Sequence, residues 1–261
     1  MLRLVMAQAL CRGLQDSLNP LPMIGLLRTV PSLRLPIVHS MCSCGLLFLG
    51  HLLLYYTLIG PFLASTPSLQ RLFTSLYYLL WVFPVYCCCF ILNSFWYGDV
   101  AMIVFKHIRG EPKASSLPFI KRLDFELRRD VLVGAFALQV TLLAAVPGSW
   151  TVVVPALSFL YSYYCFEYRW TLEGKAMPGN ISQIESNWCY FLGFGLPFTS
   201  ITYIVPGLMG SGLWALLFPF FIITGMTAQP PEPHAGRLPV FQTSEWVVKR
   251  VERWLEPKLD R

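Results

Sequence analysis

The chain has 261 residues, of which 55% are apolar, 15% aromatic and only 13% charged, against the roughly 25% charge of soluble domains. That composition excludes an ordinary water-soluble globule, and the lack of strand-period alternation excludes a membrane barrel. The net charge of +6 does not point to nucleic acid, because the basic residues lie between apolar runs, where they suit an anionic cytosolic leaflet.

Several of those runs reach about the 18 to 20 residues that cross a ~30 Å hydrocarbon layer. The expected class is all-α: a polytopic helical membrane protein with two long spans, two short Pro-Gly-turn hairpins, and interfacial helices at both ends. Residues 1–36 read as an N-terminal surface helix and linker. Within them Leu2, Val5, Met6, Ala9 and Leu10 share one helical face, and Pro20, Pro22, Pro31 and Pro36 are expected to keep the linker extended. A cleaved targeting segment fits less well, because Gln8 interrupts a short apolar core and no small-x-small site follows.

Residues 37–95 hold the two long spans, about Ile37 to Leu63, ended by Gly60-Pro61, and about Leu72 to Phe95. Residues 96–130 read as a basic cytosolic loop with Gly110 and Pro112 as breakers. The first hairpin, 131–166, turns at Pro147-Gly148, and the second, 188–224, turns at Pro206-Gly207. The tail, 225–261, ends in an amphipathic helix over Thr243 to Leu255, expected to lie on the membrane and to stop at Pro257.

Loop charge sets the orientation. If alternate connections share a side, 19 of the 20 basic residues fall on one face, which places both termini in the cytosol. The count is the same for six spans as for two spans plus two re-entrant hairpins. Expected partners are the bilayer with its anionic cytosolic leaflet and proteins met through the cytosolic loops. Self-association into a homo-oligomer is left open.

None of the 14 acids or 20 bases lies inside an apolar run, which argues against proton relays and intramembrane hydrolysis. Gln139, Thr141, Ser158, Thr199 and Ser200 read as interhelical hydrogen-bonding groups, and Gly193, Gly195 and Gly210 as close-packing points. His51 is the one imidazole deep in an expected span and the candidate for lining a pore. Of the eight cysteines, Cys42, Cys87, Cys88, Cys89, Cys165 and Cys189 lie in or beside apolar segments, without zinc-site spacing, and read as small apolar side chains. No catalytic motif, metal or cofactor is expected.

The polar join after the first hairpin gathers Glu167, Arg169 and several aromatic rings. Glu167 and Arg169 are two apart and point in different directions on a helix, whereas Arg169 and Glu173 are an i,i+4 pair. Anchoring is therefore the expected role of this join. A lipid-modifying site would instead need Glu167, Arg169, Glu185 and His107 to converge.

Three patterns carry a resemblance: Arg12-Gly13-Leu14-Gln15-Asp16-Ser17; Trp81 to Val85 with Asn93, Trp96 and Asp99; and Leu160 to Trp170 continuing through Asn187-Trp188 and Gly193-Phe194-Gly195-Leu196-Pro197. Together they resemble the etoposide-induced protein 2.4 family, which is more distantly similar to the CysZ sulfate permeases. The resemblance implies a non-enzymatic multi-pass protein of the endoplasmic reticulum that supports autophagy. The alternative it carries is an uncoupled channel or permease for a small anion such as sulfate.

Overall fold

The structure, a computed structural model, describes residues 2–61, 70–113, 119–175, 177–205, 208–233 and 236–259. Among these every regular element is helical, as composition and periodicity require. The chain opens with α1 (Leu2–Leu18), α2 (Leu21–Thr29), a 3-10 turn (Pro31–Leu33) and α3 (Arg34–Leu54). The expected extended linker is thus mostly helical. Pro20 is the N-cap of α2, Pro22 and Pro31 occupy first-turn positions, and Pro36 lies in the first turn of α3, so none removes a hydrogen bond that its helix needs.

Beyond α3, a π-helical turn (Tyr55–Ile59) leads to Pro61. Helix α4 (Gln70–Tyr77), a second π-helical turn (Tyr78–Val82) and α5 (Phe83–Arg109) form one rod. The stretch from 96 to 109, expected as loop, continues α5. Lys106, His107 and Arg109 sit in its last turn, where the helix dipole favours cations, and Gly110 at φ 85° ends it. After the break, α6 (Phe119–Ala144) and α7 (Trp150–Leu172) make the first hairpin, and Gly148 at φ 79° makes its turn. A short α8 (Met177–Ser186) fills most of the expected polar join. The second hairpin is α9 (Trp188–Ile204) and α10 (Leu208–Thr227), whose Pro206-Gly207 turn lies outside the described residues.

Helix α10 is the hub: it packs on α2, α3, α5, α7 and α9 and touches α1. Its contact with α5 solves a problem set by its own sequence. Pro219 has no N–H, so the Ala215 carbonyl lacks its helical donor, and the Tyr97 hydroxyl of α5 donates to that carbonyl at 2.8 Å.

The outer surface is apolar. Leu79, Leu80, Trp81, Phe83, Ile91 and Phe95 on the α4–α5 rod are exposed, as are Leu138, Leu142, Val146 and Trp150 at the tip of the first hairpin. Residues Leu72–Arg109 form a helix long and apolar enough to cross a membrane, and only 12% of its most apolar window is buried. A soluble protein's core helix would be mostly buried, so this apolar face suits lipid. Arg3–Thr29 with Pro31–Ser43, bent by 110°, passes the same length and composition test as a pair. Val131–Ala144 and Gly212–Thr227 are shorter apolar helices.

Helix α11 (Gln242–Leu259) runs past Pro257, the expected stop. Its start is docked rather than free: the Phe241 ring lies 4.7 Å from Phe136 of α6, Thr243 Oγ1 donates to Gln139 Oε1 at 2.8 Å, and Ser244 and Val248 are buried. Phe241 and Gln139 provide the hydrophobic and polar halves of that seat.

Candidate functional site

The join between the hairpins is where buried charge, glycine packing and the chain's two ends meet. Its floor is the α7–α9 crossing. A methyl group at Gly195 would lie 1.9 Å from the Ser158 carbonyl oxygen, so only glycine permits this approach. Beside it Ser158 Oγ and Thr199 Oγ1 share a 2.9 Å hydrogen bond, and Ser162 Oγ donates to the Phe191 carbonyl at 2.6 Å. Phe166, Trp170, Phe191 and Phe194 fill the space above with tilted and edge-to-face rings, all fully buried.

Helix α1 crosses α9 in the same manner. A methyl at Gly193 would meet the Leu10 carbonyl oxygen at 2.1 Å, and one at Gly13 would meet the Tyr190 carbonyl oxygen at 2.1 Å. This approach lets the Tyr190 hydroxyl donate to Asp16 Oδ2 at 2.7 Å. The expected surface helix is thus docked along one face, by the Arg12-to-Ser17 motif that carries part of the family resemblance. Arg12 itself is exposed.

At the cytosol-facing end expected from the charge count, α7 finishes in a Schellman motif. Lys175 N–H bonds the Trp170 carbonyl and Gly174 N–H bonds the Thr171 carbonyl, with Gly174 at φ 69°. The motif turns Lys175 back, so its Nζ lies 2.7 Å from Glu173 Oε2. The other Glu173 oxygen takes Arg169 Nε at 3.0 Å and Arg109 Nη1 at 2.8 Å. Burial works against ionising Glu173, but hydrogen bonds from Lys175 and Arg169 outweigh it and hold the carboxyl below its usual range.

Arg169 is also a cap. Its Nη1 donates at 2.6 Å to the carbonyl of Ala228, the residue just past the end of α10, where a cation complements the helix dipole. The i,i+4 pairing of Arg169 with Glu173 is as the spacing predicts. The contacts to Arg109 and Ala228, at separations of 64 and 59 residues, have no local signature.

A second carboxylate, this one fully buried, holds the tail. Glu185, 2% exposed, accepts from Arg237 Nε at 2.7 Å and from the Phe241 backbone N–H at 3.1 Å, and its own carbonyl accepts from Leu238 N–H. Glu185 therefore supplies the carboxylate that the start of α11 favours. Glu185 and Arg169 are committed to different partners, and His107 is exposed.

The remaining motif residues are structural in placement. Asn187 is buried and its carbonyl accepts the Tyr190 and Phe191 N–H groups at the start of α9, with Trp188 packed against the core. Pro197 lies within α9. On α5, Asn93 is buried, the Trp96 ring lies 4.6 Å from the His39 ring, and Asp99 is exposed. Glu167 is half-buried. His51 shares a 2.8 Å hydrogen bond with the Tyr77 hydroxyl and stacks on that ring, with Tyr55 and Tyr78 beside it. Of the cysteines expected to be buried, Cys165 and Cys189 are, whereas Cys42 and Cys88 are exposed.

Over residues 20–219 the chain matches the family described as sulfate transporter CysZ/etoposide-induced protein 2.4. It is 31% identical over 237 residues to Protein EI24 homolog of Dictyostelium discoideum, covering 85% of this chain and 77% of that protein. Protein EI24 homolog of Arabidopsis thaliana is 26% identical over 256 residues, covering 77% and 80%. Ectopic P granules protein 4 of Caenorhabditis elegans is 27% identical over 164 residues, covering 60% and 51%. No solved structure matches at a significant level.

Proposed function

Because the chain belongs to the sulfate transporter CysZ/etoposide-induced protein 2.4 family, we propose that it is a multi-pass protein of the endoplasmic reticulum membrane that supports autophagy as a non-enzymatic organiser of membranes or protein partners. In this reading both termini are cytosolic, and the two hairpins enter the bilayer from the same side. The observation that carries the non-enzymatic part is the use of charge at the hairpin join. Arg169 is committed to Glu173 and the end of α10, and Glu185 to Arg237 and the start of α11. Each polar group that sequence reasoning offered for chemistry and that has these contacts is supporting a helix end.

The autophagy assignment comes from the family. Its test is a knockout with rescue: flux of an autophagy reporter should fall without the protein and recover with it, and a tagged copy should stay in the endoplasmic reticulum. Normal flux in the knockout, or a tagged copy that leaves that membrane, contradicts the proposal.

The paired hairpins favour one second reading, an uncoupled permease for a small anion such as sulfate. Saturable sulfate uptake into reconstituted liposomes, without a proton gradient, would support it. Uptake no faster than that of empty vesicles removes it.

A further inference from the structure

An open cleft of about 230 Å³ lies where the end of α1 meets the end of α10, lined by Arg12, Asp16, Asn19, Thr224, Thr227 and Gln229 among others. It has two electrical poles. Arg12 is exposed and lines this cleft. One helical turn along, ~6 Å of rise, Asp16 supplies a half-buried carboxylate whose Oδ2 is already fixed by the Tyr190 hydroxyl.

The far wall is polar. It is the C-terminal end of α10, whose Ala228 carbonyl is already capped by Arg169, and what it presents to the cleft is the Thr224 and Thr227 hydroxyls. The Thr224 hydroxyl donates to the Phe221 carbonyl and the Thr227 hydroxyl to the Ile223 carbonyl, so both offer the cleft only acceptor lone pairs. A purely anionic guest would meet Arg12 but be repelled by the Asp16 carboxylate. A guest with a phosphate at one end and a primary ammonium at the other matches both poles, and the three N–H donors of the ammonium match the acceptor-rich wall. The volume is that of roughly eight waters at ~30 Å³ each, room for a phosphate and a two-carbon amine.

We propose that this cleft binds the phosphoethanolamine headgroup of an aminophospholipid, with Arg12 on the phosphate and Asp16 on the ammonium. The lipid, rather than a free phosphoamine, is favoured by what borders the cleft. Leu18, Leu21 and Ile24 are 54%, 70% and 43% exposed and alternate along the chain with Asn19 and Pro22 of the lining, so acyl chains have an apolar surface directly beside the headgroup. The inference goes beyond the organiser reading and does not depend on it, since binding is measured on purified protein.

The test uses the full chain in detergent, titrated with dihexanoyl phosphatidylethanolamine, the matching phosphatidylcholine and phosphatidic acid, and soluble glycerophosphoethanolamine. The ethanolamine lipid should bind about tenfold or more tighter than the other two lipids, because phosphatidic acid has no cation for Asp16 and the methylated ammonium of phosphatidylcholine keeps its charge but has no N–H to donate. Asp16→Asn, which keeps an acceptor for Tyr190, should abolish that preference. Arg12→Gln, at an exposed position, should weaken all phosphate-bearing probes and keep the wild-type thermal midpoint; Asp16→Asn, which removes the charge that Tyr190 bonds, is titrated well below its own midpoint. Equal affinity for the three lipids, or an unchanged preference in Asp16→Asn, overturns the site. Glycerophosphoethanolamine binding as tightly as the lipid overturns the lipid assignment.

Discussion

Gly193→Ala is the substitution for which the geometry yields the most definite cost. The added methyl would sit 2.1 Å from the Leu10 carbonyl oxygen and 2.9 Å from its carbon, both backbone atoms that cannot rotate away. An ordinary carbon-to-oxygen contact is about 3.3 to 3.6 Å, so α1 and α9 must part by roughly 1.2 Å. Overpacking of this kind costs about 1 to 3 kcal/mol. The same displacement stretches the 2.7 Å Tyr190–Asp16 bond to roughly 3.9 Å, beyond hydrogen-bond reach, and a bond to a charged group contributes about 1.5 to 3 kcal/mol. Together these give a loss of about 2.5 to 6 kcal/mol. At about 2 to 4 °C per kcal/mol the thermal midpoint in detergent, read by size-exclusion of a fluorescent fusion, should fall by roughly 10 °C. Gly134→Ala is the control: nothing lies within 4 Å of its added methyl, and replacing a helical glycine there should be neutral or stabilising by up to about 1 kcal/mol. A Gly193→Ala midpoint within about 2 °C of wild type would refute the close α1–α9 crossing.

Tyr97→Phe leaves the Ala215 carbonyl without the donor that Pro219 cannot supply, and should destabilise by about 1 to 3 kcal/mol in the same assay. Glu173 is held below its ordinary range, so its charge stabilises the fold above the usual carboxylate value, about 4.3, and that contribution is lost as pH falls through the depressed value. Wild type should therefore exceed Glu173→Gln in midpoint at pH 7, and the gap should close below about pH 4. Glu185→Gln should loosen the tail, giving faster proteolytic cleavage near Leu238 while the hairpins stay protected; unchanged cleavage would count against the latch. At 14 residues the apolar segment of α6 rises only ~21 Å, short of ~30 Å, and its tip exposes Val146 and Trp150. A cysteine at Gly148 should accordingly resist polar thiol reagents from both sides, whereas luminal labelling would indicate full spans.

The sequence carried what depends on local spacing. Apolar runs and Pro-Gly turns located the hairpin helices, small residues located the crossings at Gly193 and Gly195, and i,i+4 spacing paired Arg169 with Glu173. Prolines misled where their position within an element matters: Pro22, Pro31 and Pro36 sit in first turns, and Pro257 lies within the final stretch of α11. Charge misled over 96–109, because Lys106, His107 and Arg109 favour the end of a helix as readily as a loop. The partners of Glu185, Asp16 and Ala215 are 52, 174 and 118 residues away, and nothing in the residues between announces such pairings.

The central claim is that the charged join between the hairpins supports architecture rather than chemistry. It is tested most directly by measuring, for Arg169→Ala and Glu167→Ala in knockout cells, both the folded protein level and the autophagic flux per folded molecule. The account predicts a lower folded level with flux per molecule unchanged. Normal abundance with lost flux would contradict it and return the join to candidacy as an active site.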